Sequence, residues 1–497
     1  MILNYARSLS KKQGGLILFL AVFAGLSLLG FIFVSSRTYR IGFPLDDAWI
    51  HQTYARNLGL NGEWAFIPGQ PSAGSTAPLW SVLLSIGYLL GLNAYAWAFF
   101  LGWVLLWLIA VFGAYKFQVL VPLKSGWSIW VGILLTLEWH LVWAAGSGME
   151  TLMFSLLILL ALTWFSRGVG NWFVLGLLIG LSVWVRPDGI TLLGPAGLVI
   201  LSTKVTVRER ARLILELLIG ILVLFVPYLL FNRALAGAWW PNTFFAKQAE
   251  YALHRQIPLL QRFFEQARLP LIGVGAVLLP GFGLALWHAF QRRRWGVFAG
   301  GIWVIGYLGL YAWRLPVTYQ HGRYIIPAML IYFVYGSAGL AEWVQPGAEH
   351  VWKRVLGKTW LLTAGLVLVA FWFLGARSYA QDVRFIESEM VATAQWIADN
   401  TPVDSLVAAH DIGALGYFSH RRLLDLAGLV SPEVIPFIRD QNQLALFLDN
   451  QGANYLVTFP GWYPQLVSRA QQIYKSPGVS GVDTGYDDMA VYSWPGN

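Results

Sequence analysis

The sequence contains no cysteine and little charge. Without cysteine, disulfides, thiol nucleophiles and thiolate metal sites are excluded. Asp, Glu, Lys and Arg make up 12% of the 497 residues and hydrophobic residues 57%, whereas a soluble domain is roughly 25% charged. A single globule in water is therefore excluded as well. Several signatures are missing too. Gly413 and Gly416 do not complete the glycine-rich turn of a dinucleotide site, and neither a serine-hydrolase elbow nor a metalloprotease helix motif is found. The sequence has no internal repeat of the kind common in secondary transporters.

What is present is hydrophobic length. Apolar runs lie at 16–34, 94–115, 127–145, 151–165, 172–185, 190–202, 213–231, 270–289, 296–313, 325–344 and 359–376. They predict a polytopic α-helical membrane protein with about 11 transmembrane helices, most long enough for about 30 Å of hydrocarbon. The run at 16–34 has no small-residue cleavage site before its polar loop, which makes it a retained helix. Residues 78–91, opening at Pro78, are too short for a comfortable span and are assigned to an interfacial or re-entrant helix. The 26 tryptophans and 21 tyrosines suit interfacial belts, with ligand stacking open for a few of them.

Charge supplies the topology. The net charge of +9 divides unevenly: residues 377–497 hold 13 acidic and 7 basic residues, net −6, and residues 1–376 hold 12 acidic and 27 basic, net +15. Basic charge dispersed among hydrophobic spans reads as an orientation signal, not as a nucleic-acid surface. A cytoplasmic N-terminus puts 16 basic residues inside: Arg7, Lys11, Lys12, Lys116, Lys124, Arg167, Lys204, Arg208, Arg210, Arg212, Arg292, Arg293, Arg294, Lys353, Arg354 and Lys358. The outer side then receives the first loop, 35–93, the Gly146 to Glu150 turn, the Arg186-Pro187-Asp188 break and the loops 232–269 and 314–324. Residues 1–376 form the transmembrane domain, and residues 377–497 a soluble outer α/β domain. Helices are expected there at 389–400 and 440–450, a turn and short helix at 411–418, and strands at 405–409, 422–426, 454–459 and 489–494.

The polar residues on that outer side carry the candidate chemistry. Asp46 and Asp47 follow Pro44 after the first span, and adjacent like charges at a bilayer edge are costly unless they bind or catalyse something. A helix starting here puts Asp47, His51 and Tyr54 on one side, and either aspartate could cap its first turn. A carboxylate at this point could serve as a general base or hold Mg2+ or Mn2+, with Asp47 and Glu150 as the metal candidates. Glu150, preceded by Gly146 and Gly148, either caps a helix or faces a cavity. The Arg186-Pro187-Asp188 break frees backbone groups that protein or water must meet; Arg186 and Asp188 are either an ion pair or ligand contacts. Trp239, Trp240, Asn242 and Lys247 combine aromatic surface with a cation, which reads equally as membrane anchoring or as a hold on phosphate and sugar. Arg323, helped by His321 and beside Tyr324, is the strongest phosphate candidate, because a guanidinium makes paired hydrogen bonds to phosphate oxygens. His410, Asp411 and Asp425 end strands and suit a binding edge.

Taken in order, several motifs resemble the GT-C superfamily of integral-membrane glycosyltransferases, and within it bacterial arabinofuranosyltransferase-like members. They are Asp46-Asp47-Ala48, Tyr54-Ala55-Arg56-Asn57-Leu58, Pro68-Gly69 with Pro78-Leu79-Trp80, Ser147-Gly148-Met149-Glu150-Thr151, Arg186-Pro187-Asp188-Gly189, Pro241-Asn242-Thr243 with Lys247, and Gly322-Arg323-Tyr324 with Pro327. A looser likeness continues through Asp411 to Tyr417 and Asp425 to Leu429. The resemblance implies a GT-C-type membrane domain in a bacterial plasma membrane, with the active site and the α/β domain outside the cytoplasm. It implies inverting transfer of a sugar from a polyprenyl-phosphate-linked donor to a cell-envelope glycan, lipid or protein acceptor. Asp46 would be the preferred base, with Asp47 in support. Lys247, Arg323 and His321 would meet the donor phosphate, and Glu150 the acceptor or a cation. His51, Tyr54, Arg186, Asp188, Trp240, Asn242 and Tyr324 would line the cavity. A lipid-linked oligosaccharide transferase or ligase, a transporter and a noncatalytic envelope-binding protein are the competing readings.

Overall fold

In the computed structural model, the described residues are 11–344, 351–478 and 488–495. Arg7, and the side chains of Lys11, Lys12, Lys124 and Lys353, lie outside this description. Helix α1 (Lys11–Thr38) leads into the first loop, which carries α2 (Asp47–Asn61), a hairpin of β1 (Ala65–Ile67) and β2 (Gln70–Pro71), and α3 (Pro78–Leu89). The chain continues through α4 (Ala94–Leu120), α5 (Ser128–Leu137), α6 (Trp139–Ala145), α7 (Thr151–Arg167) and α8 (Trp172–Val185). Then come α9 (Leu193–Ser202), α10 (Val207–Ala236), α11 (Asn242–Glu250), α12 (Leu259–Arg268), α13 (Val274–Gln291), α14 (Trp295–Arg314), α15 (Ile326–Trp343) and α16 (Val351–Phe385).

Each expected apolar run falls on helix. By length and composition, however, six described helices qualify as membrane spans, or seven if α5 and α6, bent by 60°, are one broken span. Of the other four expected spans, α7, α8 and the segment Pro187–Ser202 are apolar but short, and α15 has 18 residues; α3, which was not counted as a span, is short as well. Helix α3 has 12 residues, the shortness on which its expected placement as an interfacial or re-entrant helix rests. Helix α15 is buried from Ile326 to Ala341 and forms the central post of the bundle. Outer helices show the opposite pattern. On α16, Leu362, Leu366, Val369 and Phe373 are all exposed at helical spacing, a face that suits hydrocarbon as solvent.

Two contacts define how the bundle closes. Between α8 and α10 the backbones nearly touch: a Cβ on Gly176 would lie 2.3 Å from the Leu217 carbonyl oxygen, and one on Gly220 would lie 2.1 Å from that of Phe173. Small residues permit such approach, and van der Waals packing then holds the pair in a membrane. At one end of the bundle, Arg294 donates to the carbonyls of Val119 and Leu120, both at 2.7 Å, and Arg167 bonds Tyr115. Arg167 and Arg294, two of the basic residues expected on one side of the membrane, thus meet the same end of α4. Lys116 corrects the sequence reading. It is not a loop residue but a fully buried member of α4, whose Nζ donates to the Leu162 carbonyl at 2.7 Å and to Ser166.

The helix α16 runs unbroken through residue 376 and connects by a π-turn at Ile386–Val391 to α17 (Ala392–Asn400). The following sheet has the order β4-β3-β5-β7-β6, from β3 (Leu406–Ala409), β4 (Arg422–Asp425), β5 (Tyr455–Thr458), β6 (Gln471–Lys475) and β7 (Ala490–Ser493). Strand β3 lies parallel to both β4 and β5, while β7 is antiparallel to β5 and β6. Helix α18 (Gln441–Gln451) packs Leu444, Ala445 and Leu448 into a core with Leu406, Leu424 and Leu456. All four residues of β3 are buried, so the turn that follows it stands on a rigid base.

Candidate functional site

Helix α2 begins at Asp47, three residues after Pro44, and turns Asp47, Ile50 and His51 onto one face, as spacings of three and four require. That face forms one wall of a cavity of about 360 Å³, at the lower end of the range for small-molecule sites. The break after α8 supplies the floor. Arg186 leaves the helix with extended backbone, φ −154° and ψ 136°, and a 3₁₀ turn at Pro187–Leu192 follows. Helix α11, entered through Trp240 and Pro241, supplies Lys247, and the loop before α15 supplies Arg323 and Tyr324.

Two charge groups face this space. In the first, Asp47 is paired with Arg323, with Lys247 Nζ 3.8 Å away. Lys247 Nζ and Arg323 Nη2 each donate to the Tyr324 hydroxyl at 2.8 Å. Burial works to raise the Asp47 carboxyl, and Arg323 and Lys247 outweigh it, holding Asp47 well below the usual carboxylate range. The same contacts hold the Arg323 guanidinium charged against its burial. Arg323 is 4% exposed, yet its Nε and Nη1 have no hydrogen-bond acceptor among the described residues. A buried guanidinium with unmet donors is costly to keep without a ligand.

The second group is deeper. Arg186 donates from Nε at 3.2 Å and from Nη2 at 3.0 Å to Asp188 Oδ2, and from Nη2 to the Tyr311 hydroxyl at 2.7 Å. Glu150 lies 3.5 Å from Arg186 Nη1 and 3.6 Å from His51 Nε2, and its Oε2 has no hydrogen-bond partner among the described residues. Burial pushes the His51 imidazole below its ordinary range, against the pull of Glu150 and Asp47. The Tyr324 ring separates the two groups, with the Arg186 guanidinium 5.3 Å and Lys247 Nζ 5.5 Å from its centre.

Asp46 behaves differently from its neighbour. It does not line the cavity, nor does its side chain cap α2, as the sequence allowed. The chain turns about 100° per residue in a helix, so its carboxylate points toward the C-terminal domain. There Oδ2 accepts from the Gly413 N–H and Oδ1 from the Ala414 N–H, both at 2.7 Å. Burial raises the Asp46 carboxyl, and nearby Asp411 raises it further, against the two N–H donors, so it is pushed up to about 8. An acid whose folded-state value lies above its ordinary 3.8 adds stability that is full below about pH 4 and is lost as pH rises through about 8. The thermal midpoint of the purified protein is therefore expected to fall as pH rises from about 4 to about 8 and to level off above that. Asp411→Asn should make that fall shallower. An unchanged pH slope in this variant would reject the pairing.

Three other candidates also leave the cavity wall. Tyr54 accepts from the Gly74 N–H at 2.9 Å and meets Ser72 Oγ at 2.6 Å, bracing the first loop. Asn242 donates from Nδ2 to the Leu429 carbonyl at 3.1 Å. His321 sits two residues before Arg323 but has φ 56°, which turns it away: its Nε2 meets Asp382 Oδ2 at 2.8 Å, between the rings of Trp139 and Trp143. Asp425 accepts from the Ala427 and Val430 N–H groups, both at 2.8 Å, and so shapes the loop that brings Leu429 to the cavity. Sequence reasoning missed Tyr311. Its signal was the aromatic spacing Trp303, Tyr307, Tyr311, four residues apart along one face of α14.

A model of a domain of unknown function, DUF8728, matches residues 369–492. No curated protein matches the chain. Among solved structures it is similar to ArnT from Cupriavidus metallidurans bound to undecaprenyl phosphate, at 15% identity, with 96% of this chain and 98% of that chain covered and a TM-score of 0.59. It is also similar to the Archaeoglobus fulgidus oligosaccharyltransferase in its apo form, at 11% identity, 89% of this chain and 69% of that chain, TM-score 0.59. For the arabinofuranosyltransferase AftD from Mycobacteria the values are 16% identity, 98% and 42% coverage, and a TM-score of 0.49. At these identities the likeness is one of fold. It spans both the helical bundle and the C-terminal domain.

Proposed function

We propose, with the GT-C membrane fold as premise, that this protein transfers a sugar from a polyprenyl-phosphate-linked donor to an acceptor outside the cytoplasm. The acceptor is a cell-envelope glycan, lipid or protein, and the membrane is a bacterial plasma membrane. The observation that carries the reading is the buried Arg323. Two of its nitrogens lack acceptors among the described residues, and it stands beside Lys247 and an ionised Asp47 in one cavity. Two cations suit a phosphate and a carboxylate suits a hydroxyl proton. That combination is what phosphate departure and hydroxyl attack require.

In this reading Asp47, rather than Asp46, is the base. The acceptor oxygen forms a bond to the anomeric carbon, and its proton passes to Asp47. The bond from that carbon to the phosphate oxygen breaks, and the electron pair leaves on polyprenyl phosphate, whose charge Arg323 and Lys247 meet. Direct displacement inverts the anomeric configuration. The cations have a second effect. While they grip Asp47 they make it a weak base; a donor phosphate competes for both, and Asp47 gains proton affinity as they turn to it. Binding of the donor thereby readies the base.

A cavity of about 360 Å³ suits one sugar with its phosphate better than an oligosaccharide, which favours monosaccharide transfer over ligase activity. Asp47 and Glu150 do not make a good divalent-cation site, since each already faces cationic or imidazole groups. The test is incubation of the purified protein with radiolabelled polyprenyl-phosphate monosaccharides and envelope acceptors. Label is expected to move to acceptor with release of polyprenyl phosphate, at a rate unchanged by chelation of divalent ions. Release without acceptor labelling, or movement of intact donor across vesicles, would reject transfer.

A further inference from the structure

We infer that the five-residue turn His410–Ala414, at the end of β3, is a positioning element that sets the distance between Asp47 and Lys247; this rests on the transfer reading above. The turn grips both walls of the cavity. On one side, Gly413 and Ala414 donate their N–H groups to the two oxygens of Asp46, each at 2.7 Å, and Asp46 is bonded directly to Asp47. On the other, His410 Nε2 lies 3.5 Å from Glu250 Oε1, while its Nδ1 is held by the Tyr463 hydroxyl at 2.7 Å. Glu250 follows Lys247 by three residues in α11, which puts them on one face of the helix. One short turn thus holds the base-bearing helix by its first residues and the cation-bearing helix by its last.

Gly413 makes the first grip possible. A Cβ there would lie 2.1 Å from the Asp46 carbonyl oxygen and 2.6 Å from its Oδ2. Any side chain at 413 must push the turn and α2 apart. The base of the turn is stiff, since β3 is buried and paired on both edges. Further ties reinforce the docking: Arg56 of α2 donates to the carbonyls of Tyr417 at 2.7 Å and Gly416 at 3.3 Å, and Asn242 at the start of α11 reaches the Leu429 carbonyl. A reactive geometry held this way depends on outer support, because a misplacement near 1 Å costs about a hundredfold in rate.

The two grips predict different kinetic losses, which a general loss of structure would not produce. In the full-length protein, Gly413→Ala is expected to lower kcat by about a hundredfold while the donor KM stays within about threefold. His410→Ala is expected to raise the donor KM by about tenfold with kcat within about threefold, and His410→Gln, which keeps a donor for Glu250, should restore most of that KM. A third measurement needs no turnover: hydrogen exchange at the Gly413 and Ala414 amides should be slow, and faster in Asp46→Ala. Equal losses of kcat and KM in both variants, or unaltered kinetics in both, overturn the positioning role. Unprotected Gly413 and Ala414 amides overturn the grip itself. If the unaltered protein transfers no sugar yet His410→Ala weakens polyprenyl phosphate binding by about tenfold, the transfer reading falls and the grip on Lys247 stands.

Discussion

Asp47→Asn is expected to lower kcat for sugar transfer by about a thousandfold, within the range usual for a lost general base. This corresponds to about 4 kcal/mol of transition-state stabilisation. The amide is nearly isosteric, so α2 keeps its packing, but it cannot take the acceptor proton. It also withdraws the negative partner of Arg323 and Lys247. Both cations then turn to the donor phosphate without competition, and the donor KM should stay level or fall. Asp46→Asn makes the control. It keeps one oxygen acceptor for the 413–414 amides and leaves Asp47 untouched, so its loss should be near tenfold and should come with faster exchange at those amides. Single-turnover assays of both variants decide the matter. A dead Asp46→Asn beside an active Asp47→Asn would return the base to Asp46.

Arg323→Ala is expected to reduce kcat/KM for the donor by about a hundredfold to a thousandfold, as removal of one preorganised donor to a developing charge does. The effect should be larger than for Lys247→Ala. Arg323 is nearly buried and brings a planar fork with two nitrogens free among the described residues, whereas Lys247 offers a single ammonium already bonded to Tyr324. Arg323→Lys restores charge but not the fork and should recover only part of the loss. Varying donor and acceptor separately gives the test. Losses confined to acceptor KM would remove Arg323 from the phosphate.

Much of this arrangement was legible in the sequence. Hydrophobic length marks the helices, and the short run after Pro78 was separable from the spans because length alone distinguishes them. In the C-terminal domain the buried strands β3, β4, β5 and β7 carry apolar residues and were expected. Strand β6, Gln471–Lys475, was not. It is an edge strand, largely exposed, paired to β7 alone, so burial imposes no alternating pattern on it. The site was legible as a set of charges on one side. Which of two adjacent aspartates faces the cavity was not, because the amides that claim Asp46 lie 367 and 368 residues away and have no side-chain signature. His321 was not legible for a local reason: three consecutive residues, Gln320, His321 and Gly322, have positive φ, and this turn sends the imidazole to Asp382 while Arg323 faces the cavity. The number of spans was not legible, because a short or broken apolar helix and a crossing one share a composition.

The glycine contact between α8 and α10 has a further consequence. Helix α8 ends at Val185, next to Arg186 on the cavity floor, and α10 ends at Ala236, four residues before Trp240 at its rim. Floor and rim therefore hang from two rods welded backbone to backbone at Gly176 and Gly220. The gauge of the chamber is set by atoms every amino acid shares, nearly three helical turns along α8 from Arg186 and more than four along α10 from its end. In the transfer reading, lining residues other than Asp47, Lys247 and Arg323 can change, and with them the sugar that fits, without altering the bore; a single methyl group added at either glycine would alter the bore while leaving every lining residue as it was.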